Sequence, residues 1–482
     1  MIRTRFAPSP TGYIHVGNIR TALFAYLLSR HDEGGSFILR IEDTDQKRFV
    51  DGAERAVLET LQWLGLDWDE GPQLSGAEIG DFGPYHQTER REYYQRWAEK
   101  LIAAGRAYAD PYTPEEIQGF RDEAARNKKA FRYRDHRPNN PPEWNGTQPL
   151  RFKSEPKDYS WHDEIMGDSA GGRDAVDDFI LIKSDGLPTY NFAHIIDDIE
   201  MKITHVIRGQ EFIASMPNYL SLYEALGEAP PIYAHMPHIL NETGNKKLGK
   251  RDGAKSVNEY RAGGYLREAM LNFLASMGWN DGTEQEIFSP TELVEKFTLS
   301  RVGRSSARFD EKRLLWLNGQ WIKRIELDDL SERAADFWGE MGQKADPDYK
   351  KEVLSIVRDR LKTLADLPLL SEYFFSTPKV DWPMIDSDKQ LKKLPRADQI
   401  SLLKSAVEKL SKISLTDWTS ENLQGKLNEL LSLTDSKPAV LFSLIRFALT
   451  WAPFSPSLPE TMILLGPDET LARLQSAIVA GK

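Results

Sequence analysis

The chain has no cysteine, which excludes disulfides, thiolate nucleophiles and thiolate-held zinc. A membrane-spanning run is missing too: the apolar stretch Ala439 to Ala452 falls short of the ~20 residues a bilayer needs and is interrupted by Arg446. The start, Met1-Ile2-Arg3-Thr4-Arg5, lacks the apolar core of a signal peptide. We therefore expect a cytoplasmic protein with no membrane contact. Nor is there a basic excess, since 62 Lys and Arg against 73 Asp and Glu leave a net charge of -11. Affinity for a phosphate backbone comes from cations that displace its counterions, so this balance argues against generalised nucleic-acid binding but not against local basic surfaces. Clusters at Lys128 to Arg137, Lys246 to Arg251, Arg304 to Arg313 and Arg358 to Lys362 are candidates, although each alone reads first as a solvated face. Internal repeats, heptads and low-complexity tracts are absent.

What is present is punctuated α/β texture. The strand-like run from Ile2 to Ala7 leads into Pro8-Ser9-Pro10-Thr11-Gly12-Tyr13-Ile14-His15-Val16-Gly17-Asn18, and apolar residues at Ile19, Leu23, Tyr26 and Leu27 follow with helical spacing. Ser36 to Ile41 is a second apolar run ending in Glu42-Asp43, so the spacing predicts a βαβ unit with ligand-binding loops at one sheet end. Free N–H groups at the helix start, beside His15, Gly17 and Asn18, suit a polyphosphate; a helix cap is the plainer reading. From about 109 to 176 proline, glycine and charge dominate, as in an insertion. Strands resume at Asp178 to Ile182 and Thr204 to Ile207, and a turn at Ser184-Asp185-Gly186 separates the first from Thr189-Tyr190-Asn191-Phe192. Beyond about 256 helical patterns take over, and 482 residues call for three or so domains. A second glycine-punctuated loop, Lys246-Lys247-Leu248-Gly249-Lys250-Arg251, carries four cations that can clamp a triphosphate.

The two loops together resemble the signatures of class I aminoacyl-tRNA synthetases. Phe6 to Gly12, Arg20 to Phe24, Arg40 to Asp45, Leu187 to Phe192, Thr204 to Gly209, Leu315 to Gly319 and Leu464 to Pro467 are similar to bacterial glutamyl-tRNA synthetases over essentially the whole chain. The resemblance implies an α/β Rossmann-like catalytic domain with an α/β insertion, followed by an all-α C-terminal anticodon-binding region. It divides the chain into a catalytic first half at 1–108, an acceptor-end insertion at 109–187, a catalytic second half at 188–255, a stem-contact domain at 256–325 and a helical anticodon-binding domain at 326–482. The implied activity is two-step, ATP-dependent ligation of L-glutamate to tRNA-Glu through glutamyl-adenylate, with Mg²⁺ accompanying ATP and the protein a monomer.

By the same resemblance, His15 and Lys250 are catalytic, and ATP meets His15, Gly17, Asn18, Arg20, Glu211, Lys247, Lys250 and Arg251. Glutamate brings an ammonium and two carboxylates, so its pocket needs an anion and at least two cations or strong donors. Arg5, Ala7, Ser9, Glu42, Tyr190, His194 and Arg208 are its expected lining, with Arg208 reading the side-chain carboxylate. Arg358 and Arg360 are the anticodon candidates. Three departures stand out: Asp110 and Tyr112 occupy positions where many relatives have zinc-binding cysteines, so we expect no zinc, with His136 and His162 too few to hold one; Gly249 replaces a serine; and His194 replaces a common asparagine, raising a pH-sensitive contact. A form that charges tRNA-Gln with glutamate, a glutaminyl enzyme and a silent RNA-binding paralogue remain alternatives, the last two opposed by Arg208 and by the joint presence of His15, Glu42, Arg208 and Lys250.

Overall fold

A computed structural model describes residues 1–482 except Tyr13, His15, residues 250–254 and Pro453. It divides into two compact units, one of 1–260 with 267–313 and one of 261–266 with 314–482. The division falls inside the helix Glu311–Ile322, a little before the 325 boundary expected from the polar step in the sequence.

In the first unit, β1 (Arg3–Phe6) leads through the proline-rich loop into α1 (Val16–His31), and β2 (Ser36–Leu39) returns parallel to β1 with Arg3 opposite Ser36 and Phe6 opposite Leu39. This is the βαβ unit the sequence predicts. Helix α1 buries Ile19, Leu23, Phe24 and Leu27 and also Arg20 and Ser29, because it is covered on the sheet side and by the helices Arg267–Ser276 and Pro290–Lys296. Next come α2 (Ala53–Leu64), the short hairpin of β3 (Gly71–Pro72) and β4 (Glu78–Ile79), and α3 (Arg91–Ala103).

Residues 107–171 contribute β5 (Ala107–Ala109), α4 (Pro114–Arg126), β6 (Leu150–Phe152), β7 (Tyr159–Asp163) and β8 (Gly167–Gly171), all but β5 within the expected insertion. Thr113 opens α4 with a capping box, its side chain accepting from the Glu116 N–H while Glu116 accepts from the Thr113 N–H. β5, β6 and β9 (Ile180–Ile182) form an antiparallel sheet. After it, α5 (Tyr190–Glu200), β10 (His205–Gly209), α6 (Met216–Leu226) and β11 (Ile232–Met236) complete the fold. Tyr190 therefore opens a helix.

β10 and β11 are parallel, with Arg208 opposite His235, and the Thr204 N–H donates to the Arg3 carbonyl to tie β10 beside β1. β7 joins the far side of β11 in parallel through Tyr233 and Asp163, then turns back into β8. The insertion thus supplies an outer strand of the parallel sheet. Tyr94 and Trp97 of α3, Phe192 and Ile196 of α5 and Tyr219 and Leu222 of α6 pack over Phe152, Leu181, Val206 and Tyr233 as one apolar core.

The second unit is helical as expected. Its core gathers Leu403 and Leu410, Leu423, Leu427 and Leu430, and Leu444, Ala448, Leu474 and Ile478, at spacings that put each set on one helix face. Within the helix Leu458–Ala480, Gly466 adopts φ 76° ahead of Pro467 and breaks the backbone ladder; the Tyr349 hydroxyl donates to the Leu464 carbonyl at 3.1 Å, satisfying an acceptor at the break. Among the described residues, no helix is long and apolar enough to cross a membrane.

Candidate active site

A cavity of ≈ 540 Å³ opens at the carboxyl ends of the parallel strands, where loops from β1, β2, β10 and β11 converge. Its wall carries Arg5, Ala7, Ser9, Glu42, Tyr190 and Arg208. Gly17, Asn18, Arg20, Glu211 and Lys247 also line it. The loop after β1 is held by backbone bonds from Arg40 to the Phe6 carbonyl and from Glu42 to the Pro8 carbonyl, both 3.0 Å. Prolines at 8 and 10 can only accept, so the loop edge uses its carbonyls. Gly17 and Asn18 occupy the first turn of α1, where helical N–H groups favour an anion. His15, Lys250 and Arg251 lie outside the described residues.

Buried ion pairs anchor Arg5 and Glu42 of this lining. Arg5 Nε reaches Asp198 Oδ1 at 3.1 Å, and Arg40 bridges Asp198 at 2.8 Å and Glu42 at 3.1 Å. Arg90 Nε meets Asp197 at 2.7 Å, with Gln87 and the Tyr94 hydroxyl also donating to that carboxylate. Burial pushes Asp198 up, but Arg5 and Arg40 outweigh it and hold its carboxyl at about 2. Burial dominates at Glu42 and raises it despite Arg40 and Arg5. Burial likewise raises the Tyr190 phenol, keeping it a neutral donor.

Arg208 differs from these arginines. It is 5 % exposed, yet among the described residues no carboxylate lies within ion-pair distance of it. Its Nε donates to His235 Nε2 at 3.0 Å, Nη1 to His194 Nε2 at 3.4 Å and Nη2 to Met216 Sδ at 3.2 Å. The rings of Phe212, Tyr219 and Tyr233 surround its guanidinium at 4.9 to 5.0 Å. A guanidinium has five N–H groups. Two are left for a planar acceptor in the cavity, the geometry a carboxylate fits.

His194 is not on the cavity wall. It is fully buried, stacked on Tyr190 at 4.6 Å, and its Nδ1 donates to the Tyr190 carbonyl at 2.7 Å. Burial and then the nearby Arg208 lower it to about 3, so the imidazole is neutral at ordinary pH. The expected pH-sensitive contact is corrected accordingly: His194 props Tyr190 and Arg208 from behind.

Also in the lining, Lys247 Nζ lies 2.9 Å from Glu211 Oε1, and both are half exposed. A Cβ on Gly209 would stand 2.0 Å from Glu211 Oε2, so glycine there lets the carboxylate fold back over the strand end. Arg20 Nη1 donates to the Met277 carbonyl at 2.8 Å and Nη2 to that of Pro237; its Nε is buried without a partner among the described residues.

Where the resemblance places zinc, the residues do not fit it. Asp110 accepts from the Tyr133 hydroxyl and from Arg151 at 2.7 Å, Tyr112 packs edge-on against Phe120, and His136 stacks on Phe120 at 4.3 Å. His162 pairs with Asp168 elsewhere, on the β7–β8 hairpin. One acid trio with a histidine, Glu78, His86 and Glu89, exists among the described residues. Both His86 nitrogens there meet carboxylates, of Glu54 at 3.1 Å and Glu78 at 3.0 Å, and the Glu54 bond above all raises the imidazole to about 9, so a proton holds that place.

In the helical unit, Arg358 and Arg360 share a short turn after the helix Pro347–Val357. Arg446 is lowered by burial and then by Arg360, which places two like charges near each other beside Tyr373.

Residues 1–316 match the family described as tRNA synthetases class I (E and Q), catalytic domain, and residues 329–478 the anticodon binding domain. The chain is 40% identical over 485 residues to a glutamate–tRNA ligase of Dehalococcoides mccartyi, covering 99% of this chain and 97% of that protein. It is 41% identical over 487 residues to one of Clostridium botulinum, covering 99% and 98%. A crystal structure of a glutamate tRNA ligase from Elizabethkingia meningosepticum, in complex with its amino acid, aligns over 100% of both chains with TM-score 0.87 and 32% identity. The glutamate-tRNA synthetase structure from Elizabethkingia anophelis aligns with TM-score 0.84 over 99% of both chains at 32% identity. The fold is that of a class I tRNA synthetase. Within that class, the chain belongs to the glutamate–tRNA ligase family.

Sequence reasoning missed Arg40, Asp197, Asp198, His235 and Asp163. Tyr190, His194, Asp197 and Asp198 recur at helical spacing on α5, a polar stripe that marks a buried polar face. His235 and Asp163 carry no local signal.

Proposed function

We propose that this protein ligates L-glutamate to tRNA-Glu at the expense of ATP, through glutamyl-adenylate. The observation that carries the choice of amino acid is Arg208, a buried arginine with no carboxylate in contact among the described residues and two donors left for one. In this reading the side-chain carboxylate takes those donors, Tyr190 adds a neutral one, and the ammonium sits by Ser9 and Glu42. Neutral glutamine would leave Arg208 buried and unpaired; a mismatch of that kind is worth roughly 10⁴ to 10⁵ in discrimination.

ATP with Mg²⁺ fits along Gly17, Asn18, Arg20, Glu211 and Lys247, and His15, Lys250 and Arg251 are assigned to the phosphates by their charge and motif. The glutamate α-carboxylate attacks the α-phosphate and pyrophosphate leaves; a terminal ribose hydroxyl of tRNA then attacks the acyl carbon, and AMP leaves. No protein nucleophile is needed, so catalysis is positioning and charge stabilisation. Arg358 and Arg360 are proposed to meet the anticodon.

Pyrophosphate exchange with glutamate or glutamine, with and without tRNA-Glu and tRNA-Gln, tests this. Exchange with glutamate that falls at least a hundredfold with glutamine is expected; glutamine-dependent exchange would overturn the pocket assignment.

A further inference from the structure

Arg208 is gripped from behind as well as left open in front. Because arginine can only donate, His235 Nε2, 3.0 Å from Arg208 Nε, has to be the ring's bare nitrogen. The proton is then on Nδ1, which lies 2.6 Å from Asp163 Oδ2. Both residues are buried, at 0 % and 1 % exposure. Asp163 Oδ1 also accepts the backbone N–H groups of Ile165 at 3.1 Å and Met166 at 2.8 Å, while the His235 N–H is shared between Oδ1 at 3.1 Å and Oδ2 at 3.2 Å. The Ile165 and Met166 donors fix which oxygen faces the ring. Asp163 ends β7, the strand that the insertion adds beside β11.

We infer that Asp163 and His235 form a positioning relay: the carboxylate fixes the His235 tautomer, and the ring's bare nitrogen orients the Arg208 guanidinium toward the amino acid. The relay rests on the reading of Arg208 given above and deepens it. The cation meets Asp163, the carboxylate behind the ring, only through one imidazole. Its charge is instead presented forward. An imidazole in the other tautomer would aim an N–H at the Arg208 N–H and push the guanidinium off its axis.

Two substitutions separate this from a merely structural role. His235→Phe keeps the ring and removes the acceptor, leaving a buried guanidinium N–H unpaired; the KM for glutamate should rise about 10- to 100-fold while the KM for ATP stays within about twofold. His235→Gln restores an acceptor and should recover most of that loss. Asp163→Asn keeps its shape, but its carbonyl oxygen is claimed by the Ile165 and Met166 N–H groups, so its amide N–H faces Nδ1 and forces the wrong tautomer. It should reproduce the His235→Phe effect, and the double variant Asp163→Asn/His235→Phe should be no worse than His235→Phe alone. The readout is tRNA-dependent pyrophosphate exchange at varied glutamate and ATP. Equal rises in both KM values, additive losses, or no rescue by glutamine at 235 would overturn the relay. A wild-type protein that does not use glutamate, or an Arg208→Ala variant that uses it normally, would instead overturn the reading on which the relay rests.

Discussion

Replacing Arg208 by leucine should remove function without removing stability. The wild-type side chain is 5 % exposed and, among the described residues, has no carboxylate in contact. Its burial is an unfavourable term that only part of its surroundings offsets: two imidazole nitrogens, a thioether and three ring faces at 4.9 to 5.0 Å. Leucine deletes that term. It leaves two imidazole acceptors without donors, at about 1 kcal/mol or a little more each. Against this, relief of an unpaired buried charge contributes on the order of 1–4 kcal/mol. The stability in urea should therefore stay level with wild type or exceed it. Loss of a charged partner to the substrate costs about 3–5 kcal/mol, so kcat/KM for glutamate should fall roughly 10²- to 10⁴-fold. Urea unfolding followed by circular dichroism and tRNA-dependent pyrophosphate exchange measure the two quantities. A variant destabilised by more than about 3 kcal/mol, the signature of a broken structural pair, with glutamate use intact, would refute the reasoning.

His86 gives a pH dependence with a definite sign. Its folded value of about 9, set first by the bond to Glu54, lies above the ordinary 6.5, so its contribution is full below pH 6.5 and fades as pH rises through 9. The Tm difference between wild type and His86→Gln should be largest near pH 6 and gone by about pH 10; a gap that widens with pH would contradict this. Gly209→Ala should displace only the flexible end of Glu211, raising the KM for ATP by about 5- to 10-fold with Tm unchanged. Arg358→Ala and Arg360→Ala should each raise the KM for tRNA about tenfold; parallel rises in the KM for ATP or glutamate would remove them from the anticodon surface.

The local parts of this fold were legible because they are short-range events. A strand, a proline-glycine loop and an apolar helix follow one another within Arg3 to His31, and the returning strand is parallel at the expected place. Tyr190 to Phe192 was harder to read, since a turn followed by β-prone residues does not announce a helix start. Residue types in the pocket were legible too, from the charges glutamate would bring. Their pairing was not: Arg5 meets Asp198 across 193 positions and His235 meets Asp163 across 72, contacts that only the finished sheet creates. The neutrality of His194 was equally hidden, because it depends on complete burial beside Arg208.

β7 sits between β11 and its own hairpin partner, so the segment at 109–187 is woven into the parallel sheet at Asp163. That segment cannot be exchanged between relatives as a loose cassette. A chimaera joined at its ends would set a foreign residue against His235, and the recombinants that survive should be those in which the residues at 163 and 235 are inherited from the same parent.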